Sequence, residues 1–405
     1  MKYKLGELVD VLSGYAFKKD DYSSEGASVI KIKNIVPPYI DITDSDKISY
    51  KDIDKYSKWK TEYNDILISM TGSNVSQMGS AVGKVGRVKN EAPLLINQRV
   101  GKFVVKDMTL LDYDFLYYWI SRYEIQYRLA LEASGSANQA NISPRQIKGL
   151  EIDLPPLIVQ KKIAIILNSL DSKIELNNQI ISNLEEQAST LFKRWFVDFD
   201  FPDENGNPYK SNNGKMSDSE LGEIPKGWKV TKINNVYDIK YGKQMPISEL
   251  HDTGYPVHGA NGSIIGYTDS YMYNKEVALV TCRGNGSGDV FRSLRNSFVT
   301  NNLLIFEPLD GIYNVDYTRF LLINNNTYNY QTGSAQPQIT IKNISKMKII
   351  VPNIDTLKLF NNKIESIMNQ QILMSENNSV LTSIRDSLLP KLLSGEIELP
   401  EDEEM

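Results

Sequence analysis

A single cysteine, Cys282, leaves the chain without an internal disulfide and suits a reducing cytoplasm. With only two histidines, His251 and His258, it also holds too few ligands for a zinc finger. No run of eighteen apolar residues occurs, so a bilayer-spanning helix is not expected. The start, MKYKLGELVDVL, lacks the apolar core and small-residue cleavage site of a signal peptide. The basic excess of many nucleic-acid binders is missing too, since the net charge is −5.

The distribution of that charge matters more than its sum. Residues 1–154 carry net +1 and 228–352 net +3, whereas 199–227 carry −3 and 353–405 carry −6. The acid is confined to a connecting stretch and the C-terminal region, and two large segments are mildly basic. At 41% hydrophobic and 23% charged residues, a chain of 405 residues has material for two or three domains with real cores.

Against these absences stands one long uninterrupted run. After Pro155-Pro156 the chain reaches Val197 with neither proline nor glycine. Its apolar lattice is Ile163, Leu167, Leu170, Ile174, Asn177, Ile181, Leu184, Ala188, Leu191 and Trp195. The steps alternate four and three, the heptad seam of a coiled coil. A helix with so narrow a stripe cannot bury it alone. The segment 352–397 supplies a partner: at an offset of 197, Ile163 falls on Phe360, Leu167 on Ile364, Leu170 on Ile367 and Leu184 on Leu381. This second run stops at Pro390 and Gly395. If the halves close with pseudo-twofold symmetry, the helices pair antiparallel and facing positions have numbers adding to about 555. Asn177 then faces Asn378, a polar pair of the kind that fixes register at a cost in stability.

The same offset joins the stretches before the helices. Gly135-Ser136-Ala137 matches Gly333-Ser334-Ala335, and after a one-residue gap Ile142, Ile147, Ile152 and Pro155 fall on Ile339, Ile344, Ile349 and Pro352. The buried strand and polar turn of 65–74 recur at 276–286, and the pattern of 97–104 recurs at 301–306. Residues 28–35 alternate like a half-exposed strand, 82–88 read as a strand with basic residues three apart, and 110–132 read as one helix. Residues 199–227, rich in Gly, Pro, Asn, Ser and acid, read as a linker ordered only at its ends. The expected organisation is a globular domain over 1–154, a spacer helix over 155–198 and the linker. A second domain over 228–351, a second helix over 352–397 and an acidic tail over 398–405 follow. The fold class is α+β, with two tandem mixed α/β domains separated by two long helices that pair as an antiparallel coiled coil.

Catalytic signatures are near misses. Val36-Pro37-Pro38-Tyr39 resembles an amino-methyltransferase motif, but valine cannot hold the target amine. The stretch from Gly79 to Val85 resembles a P-loop, yet is one residue short and lacks the hydroxyl for Mg²⁺. Gly284-Asn285-Gly286-Ser287-Gly288 is followed by no helix pattern, against a dinucleotide loop. No catalytic set and no metal cluster stands out, which favours a non-catalytic chain.

The plan resembles the specificity (S) subunit of type I restriction–modification systems. The strings that carry the resemblance are Asp153-Leu154-Pro155-Pro156-Leu157-Ile158-Val159-Gln160, the helix ending Leu191-Phe192-Lys193-Arg194-Trp195-Phe196-Val197-Asp198-Phe199, the Gly-Ser-Ala loops, and Leu388-Leu389-Pro390-Lys391-Leu392-Leu393-Ser394-Gly395. The resemblance implies two target-recognition domains, each reading half of a split duplex DNA site. It also implies helices that act as spacer and dock two methyltransferase subunits carrying S-adenosylmethionine, with optional restriction subunits. No cofactor is implied in this chain. From 163 to 195 the helix spans about 48 Å at the α-helical rise, more than one turn of DNA, roughly 34–36 Å. A scaffold that reads no DNA, or a fused methyltransferase–specificity enzyme, is the alternative.

DNA-reading candidates are Arg, Lys, Asn, Gln and hydroxyl residues in polar, Gly-rich loops, because Arg addresses guanine, Asn and Gln address adenine, and Lys and hydroxyls hold phosphates. In the first domain they are Lys31, Lys33, Thr71, Ser73, Asn74 and Lys84, with Arg87, Asn97, Gln98, Arg99, Ser136 and Gln139. In the second they are Lys243, Gln244, His258, Asn261, Arg283 and Asn285, with Ser287, Arg292, Asn301, Asn302, Ser334 and Gln336.

Overall fold

The structure, a computed structural model, describes residues 1–405 apart from Asn138, Asn285, Ser334, Ala335, Glu398 and 400–405. Two compact units emerge: Met1–Glu175 with Asn378–Met405, and Leu176–Asn377. Each therefore combines a globular domain with a segment of each long helix. This differs from the serial division at 154 and 228, because each helix segment packs on the domain beside it. Among the described residues no helix is long and apolar enough to cross a membrane.

In the first unit a sheet runs in the order Val9–Ser13, Val100–Val105, Ile66–Ser69, Val85–Arg87, Tyr39–Ile40, Ile35–Val36. Ile66–Ser69 is buried at every position, as its unbroken apolar run demands. A second sheet pairs Ala27–Ile30 parallel with Leu95–Ile96 and antiparallel with Asp46–Ile48. A third joins Thr71–Gly72 to the hairpin of Ser134–Ser136 and Gln139–Asn141.

The second unit repeats this plan. Its main sheet runs Tyr237–Tyr241, Leu303–Pro308, Ala278–Thr281, Val290–Arg292. Tyr255–His258 pairs parallel with Phe298–Val299, and Gln331–Thr332 pairs with Gln338–Ile339. Strand for strand the order matches, including the edge pairs Lys2–Lys4 with Glu151–Asp153 and Lys229–Lys232 with Lys348–Val351. The offset slides from 228 at Val9/Tyr237 to 197 at Pro155/Pro352, because the first repeat is the longer. Part of the excess forms the added strands Ile35–Val36 and Tyr39–Ile40 at the sheet edge.

The long helices span Leu157–Phe196 and Ile354–Ser394, slightly inside the expected 155–198 and 352–397. Pro390 lies within the second helix, which ends before Gly395 at φ +76°. Both units show antiparallel pairing close to the expected register. In the first, Ile163 and Leu167 share a core with Leu388, Leu389 and Leu392, and Asp171 binds Arg385. In the second, Trp195 meets Phe360 at 5.8 Å, and Gln371 Nε2 donates to Glu185 Oε2 at 3.3 Å. Seam residues Leu167, Ile174, Leu184 and Ile364 are buried, while Leu170, Ile181, Ile367 and Leu381 are half-buried. Asn177 is fully buried in its unit and Asn378 half-exposed in the other.

Three local expectations need correction. The 110–132 helix is two helices, Tyr113–Ile120 and Tyr123–Leu131, broken where Ser121 Oγ donates back to Tyr117 O and Arg122 turns extended. The 28–35 strand stops at Ile30 and is buried throughout, because Asn34 folds 32–34 into a turn by accepting from the Lys31 N–H and donating to Asp41 O. The 199–227 linker is ordered along its length. Phe201 stacks on Tyr209 at 4.6 Å and on Trp228 at 5.0 Å, and Met216–Ser219 pairs with Gly222–Pro225. Apolar rings among the polar residues supply the core that composition alone did not reveal.

Candidate nucleic-acid interface

Backbone hydrogen bonds stitch four loops together in the first unit. Gly14 N–H donates to Val100 O, Tyr15 N–H to Ile96 O, and Gln98 N–H to Tyr15 O. Asn97 N–H donates to Ile30 O, Met70 N–H to Arg99 O, Ile142 N–H to Met70 O, and Asn74 N–H to Ala137 O. Thr71 Oγ1 adds a side-chain bond of 2.7 Å to Asn141 Oδ1. The second unit builds the same scaffold. Gly242 N–H donates to Leu303 O, Lys243 N–H to Val299 O, Thr300 N–H to His258 O, Cys282 N–H to Asn302 O, Ile339 N–H to Cys282 O and Gly284 N–H to Pro337 O.

The structure thus brings together Thr71, Ser73, Asn74, Asn97, Gln98, Arg99, Ser136 and Gln139 in the first unit. Gln98, Arg99, Ser136 and Gln139 are exposed, whereas Thr71 and Ser73 are buried and shape the loop. Lys31 follows the strand beside Asn97 but is ion-paired with Asp46, and Lys33 pairs with Asp44 at 2.8 Å. Lys84 is half-buried, its N–H donating to Ser69 Oγ. In the second unit Lys243, Gln244, Arg283 and Gln336 are exposed, and Asn301 and Asn302 are half-buried in the matching turn. Asn261 is exposed at φ +60° beside Thr281. Asn285 and Ser334 lie outside the described residues.

Four expected contacts point inward instead. Arg87 is 5% exposed, pairs with Asp114 at 3.1 Å and stacks on Tyr117. Arg292 binds Asp316 at 2.9 Å and Glu276 at 3.1 Å. Ser287 is fully buried. His258 is 3% exposed, with Nδ1 3.2 Å from Gly262 O and Nε2 accepting from the Leu294 N–H at 2.9 Å. Arg87, Arg292 and His258 are spent on the fold, because a buried polar group is paired internally, whereas the Ser287 hydroxyl is buried with no hydrogen-bond partner among the described residues.

Burial lowers the His258 pKa, and Nε2 can accept only while unprotonated. The unfolded imidazole titrates near about 6.5, so the neutral form contributes fully above that value. The contribution is lost as pH falls towards the depressed folded value. Thermal unfolding should therefore show acid destabilisation as pH falls below about 6.5 that is smaller in His258→Gln.

Sequence reasoning missed a polar set on the helix-facing side of each domain: Asp114, Tyr118, Asn168, Asp171 and Arg385 in the first unit, and Glu185, Asp316, Arg319 and Gln371 in the second. Burial would raise the Glu185 carboxyl, but hydrogen bonding and charge from Arg319 outweigh it and hold the group below its usual range. The available signal was an arginine followed by a helix-opening aspartate in both repeats, Arg87 with Asp114 and Arg292 with Asp316.

Comparison with known proteins gives the architecture a lineage. The family model for the type I restriction modification DNA specificity domain matches residues 1–186 and 225–381. The type I restriction enzyme MjaIX specificity subunit of Methanocaldococcus jannaschii is 26% identical over 345 residues, covering 79% of this chain and 76% of that protein. The putative MjaX specificity subunit of the same organism is 24% identical and covers 97% of this chain and 92% of its own. A crystal structure of a type I restriction–modification S subunit from M. genitalium shares the fold, with a TM-score of 0.59 at 18% identity over 97% of this chain and 95% of its own. The two matched segments coincide with the two structural repeats, and the chain belongs to the type I restriction–modification DNA specificity family.

Proposed function

We propose that each repeat reads one half of a split duplex DNA site, and that the chain itself is non-catalytic. The observation that carries this reading is the duplicated loop scaffold, which presents different side chains at matching positions. Where the first unit has Tyr15, Thr71 and Arg99, the second has Lys243, Arg283 and Asn302. A fixed backbone with variable side chains, of which Arg99, Lys243 and Arg283 are exposed, suits recognition of two different half-sites. Domain-wise, 1–154 and 228–351 act as the readers and the helices as spacer.

The long helices also leave apolar side chains to solvent, including Ile165 and Val380 in the first unit and Leu373 in the second. Such exposure suits docking. In this reading the occupants are two methyltransferase subunits carrying S-adenosylmethionine, optionally with restriction subunits, in the cytoplasm.

Methylation mapping in cells expressing the chain with its methyltransferase partner tests the reading. A bipartite motif is expected; methylation without a split motif refutes it. Arg99→Ala should cost about 1–3 kcal/mol of discrimination at the first half-site alone, and Arg283→Ala the same at the second. Binding competition with duplexes altered in one half measures both. Equal loss at both halves would contradict the assignment.

A further inference from the structure

The buried arginines expected to meet DNA begin two polar clusters. In the first unit Arg87, on the strand Val85–Arg87, pairs with Asp114 near the start of the helix Tyr113–Ile120. Asn168, on the first long helix, donates to Asp114 Oδ2 at 2.7 Å and lies 3.3 Å from Arg87 Nη1. From the same domain helix, Tyr118 Oη reaches Asp171 Oδ2 at 2.8 Å, and Asp171 Oδ1 accepts from Arg385 of the second long helix at 2.8 Å. The path runs from strand to domain helix, to the first long helix, to the second.

The second unit joins the same kinds of element, though its domain helix reaches the long helix that precedes the domain and not the one that follows it. Arg292, on the equivalent strand, binds Asp316, again the second residue of the following helix. One turn on, Arg319 forms a bidentate pair with Glu185 of the first long helix, at 2.6 and 3.0 Å. Gln371 of the second long helix donates to the same carboxylate at 3.3 Å.

Apolar burial holds each domain on its helices but is non-directional and by itself leaves the angle open. A partly buried, directional charge network does not: removing one partner strands the other, and a bidentate arginine–carboxylate pair fixes angle as well as distance. An equivalent Arg–Asp pair in both units, extended to both long helices through non-equivalent residues, marks a polar link between domain and helices as a feature of both repeats.

We propose that these clusters are orientation locks. Each sets the angle at which a recognition domain rides on its own helix segments, and so sets the gap tolerated between the half-sites. Tyr118, Asp171 and Arg385 are the positioning residues of the first unit, and Glu185, Arg319 and Gln371 those of the second. None of them reads a base. The inference rests on the half-site reading above.

The test uses the full chain co-expressed with its methyltransferase partner, with methylation mapped genome-wide. Tyr118→Phe removes one hydroxyl, Asp171→Asn one charge, and Glu185→Gln breaks the bidentate pair. Each variant is expected to retain both half-site sequences but to raise methylation at sites whose gap differs by one base pair. The rise should be about tenfold relative to wild type, a loss of ~1.4 kcal/mol of preference. Arg385→Lys, which keeps a charge for Asp171, should stay closer to the wild-type gap than Asp171→Asn does. Where Asp171→Asn or Glu185→Gln fails to fold, Tyr118→Phe decides. An unchanged gap with only a lowered melting temperature overturns the proposal. A wild-type chain with no bipartite motif instead overturns the half-site reading, so the two failures are distinguishable.

Discussion

Phe196→Ala is expected to destabilise the second unit by about 3–5 kcal/mol, the range for truncating a buried aromatic. The ring is 6% exposed and is shared between three parts of that unit. It meets Tyr317 of the domain helix edge-on at 4.9 Å, Phe360 of the second long helix at 4.9 Å, and Trp228 at 5.9 Å. Phe192, one turn earlier, lies 5.0 Å away and touches Tyr317 and Phe360 as well. Edge-on and tilted ring pairs add to the burial term. Truncation leaves a cavity that neither long helix can close without moving the other, so relaxation recovers little. Denaturant unfolding should lose the second unit's transition first while the first unit's persists. Simultaneous loss of both transitions, or a cost below about 1 kcal/mol, would show that the cluster does not hold the unit together.

That ring marks where sequence legibility ended. The heptad lattice from Ile163 to Trp195 was readable because a 3.5-residue period is a local property of one helix. The partner helix followed from the 197 offset, and the pairing of Asp171 with Arg385 and of Trp195 with Phe360 follows the register expected from it. Phe192 and Phe196 are off the seam and face the domain, and no helical period says which domain they meet. The constant offset was visible only near the helices, because insertions in the first repeat move equivalent strands apart in number. The inward turn of Arg87, Arg292 and His258 was hidden for a related reason. A basic residue in a polar stretch reads as exposed unless its partner is known. Those partners, Asp114, Asp316 and the Leu294 amide, lie 24 to 36 residues away in sequence. The 199–227 segment was misjudged because composition averages over Phe201, Tyr209 and their neighbours, while order there depends on those rings.

Gly242→Ala is expected to abolish recognition of the second half-site while sparing the first. Gly242 sits where the strand Tyr237–Tyr241 gives way to the loop, and its N–H donates to Leu303 O. A Cβ there would lie 2.2 Å from Thr300 O and 2.3 Å from Val299 O, both backbone atoms. Relief requires separating the loop from the turn by roughly an ångström, which strains Lys243 N–H to Val299 O and Thr300 N–H to His258 O together. The cost should be about 3 kcal/mol or more, at the upper end for overpacking, because no flexible side chain can yield. It falls on the loops that carry Lys243, Asn301 and Asn302. Gly14→Ala is the matched experiment, since its Cβ would lie 2.2 Å from Ile96 O and 2.3 Å from Asn97 O and would displace the Gln98–Arg99 turn. Duplex competition with one half-site scrambled at a time should therefore give opposite patterns for the two variants. If both variants lose the same half-site, or neither loses any, the loops stitched at Gly14 and Gly242 are not the reading surfaces.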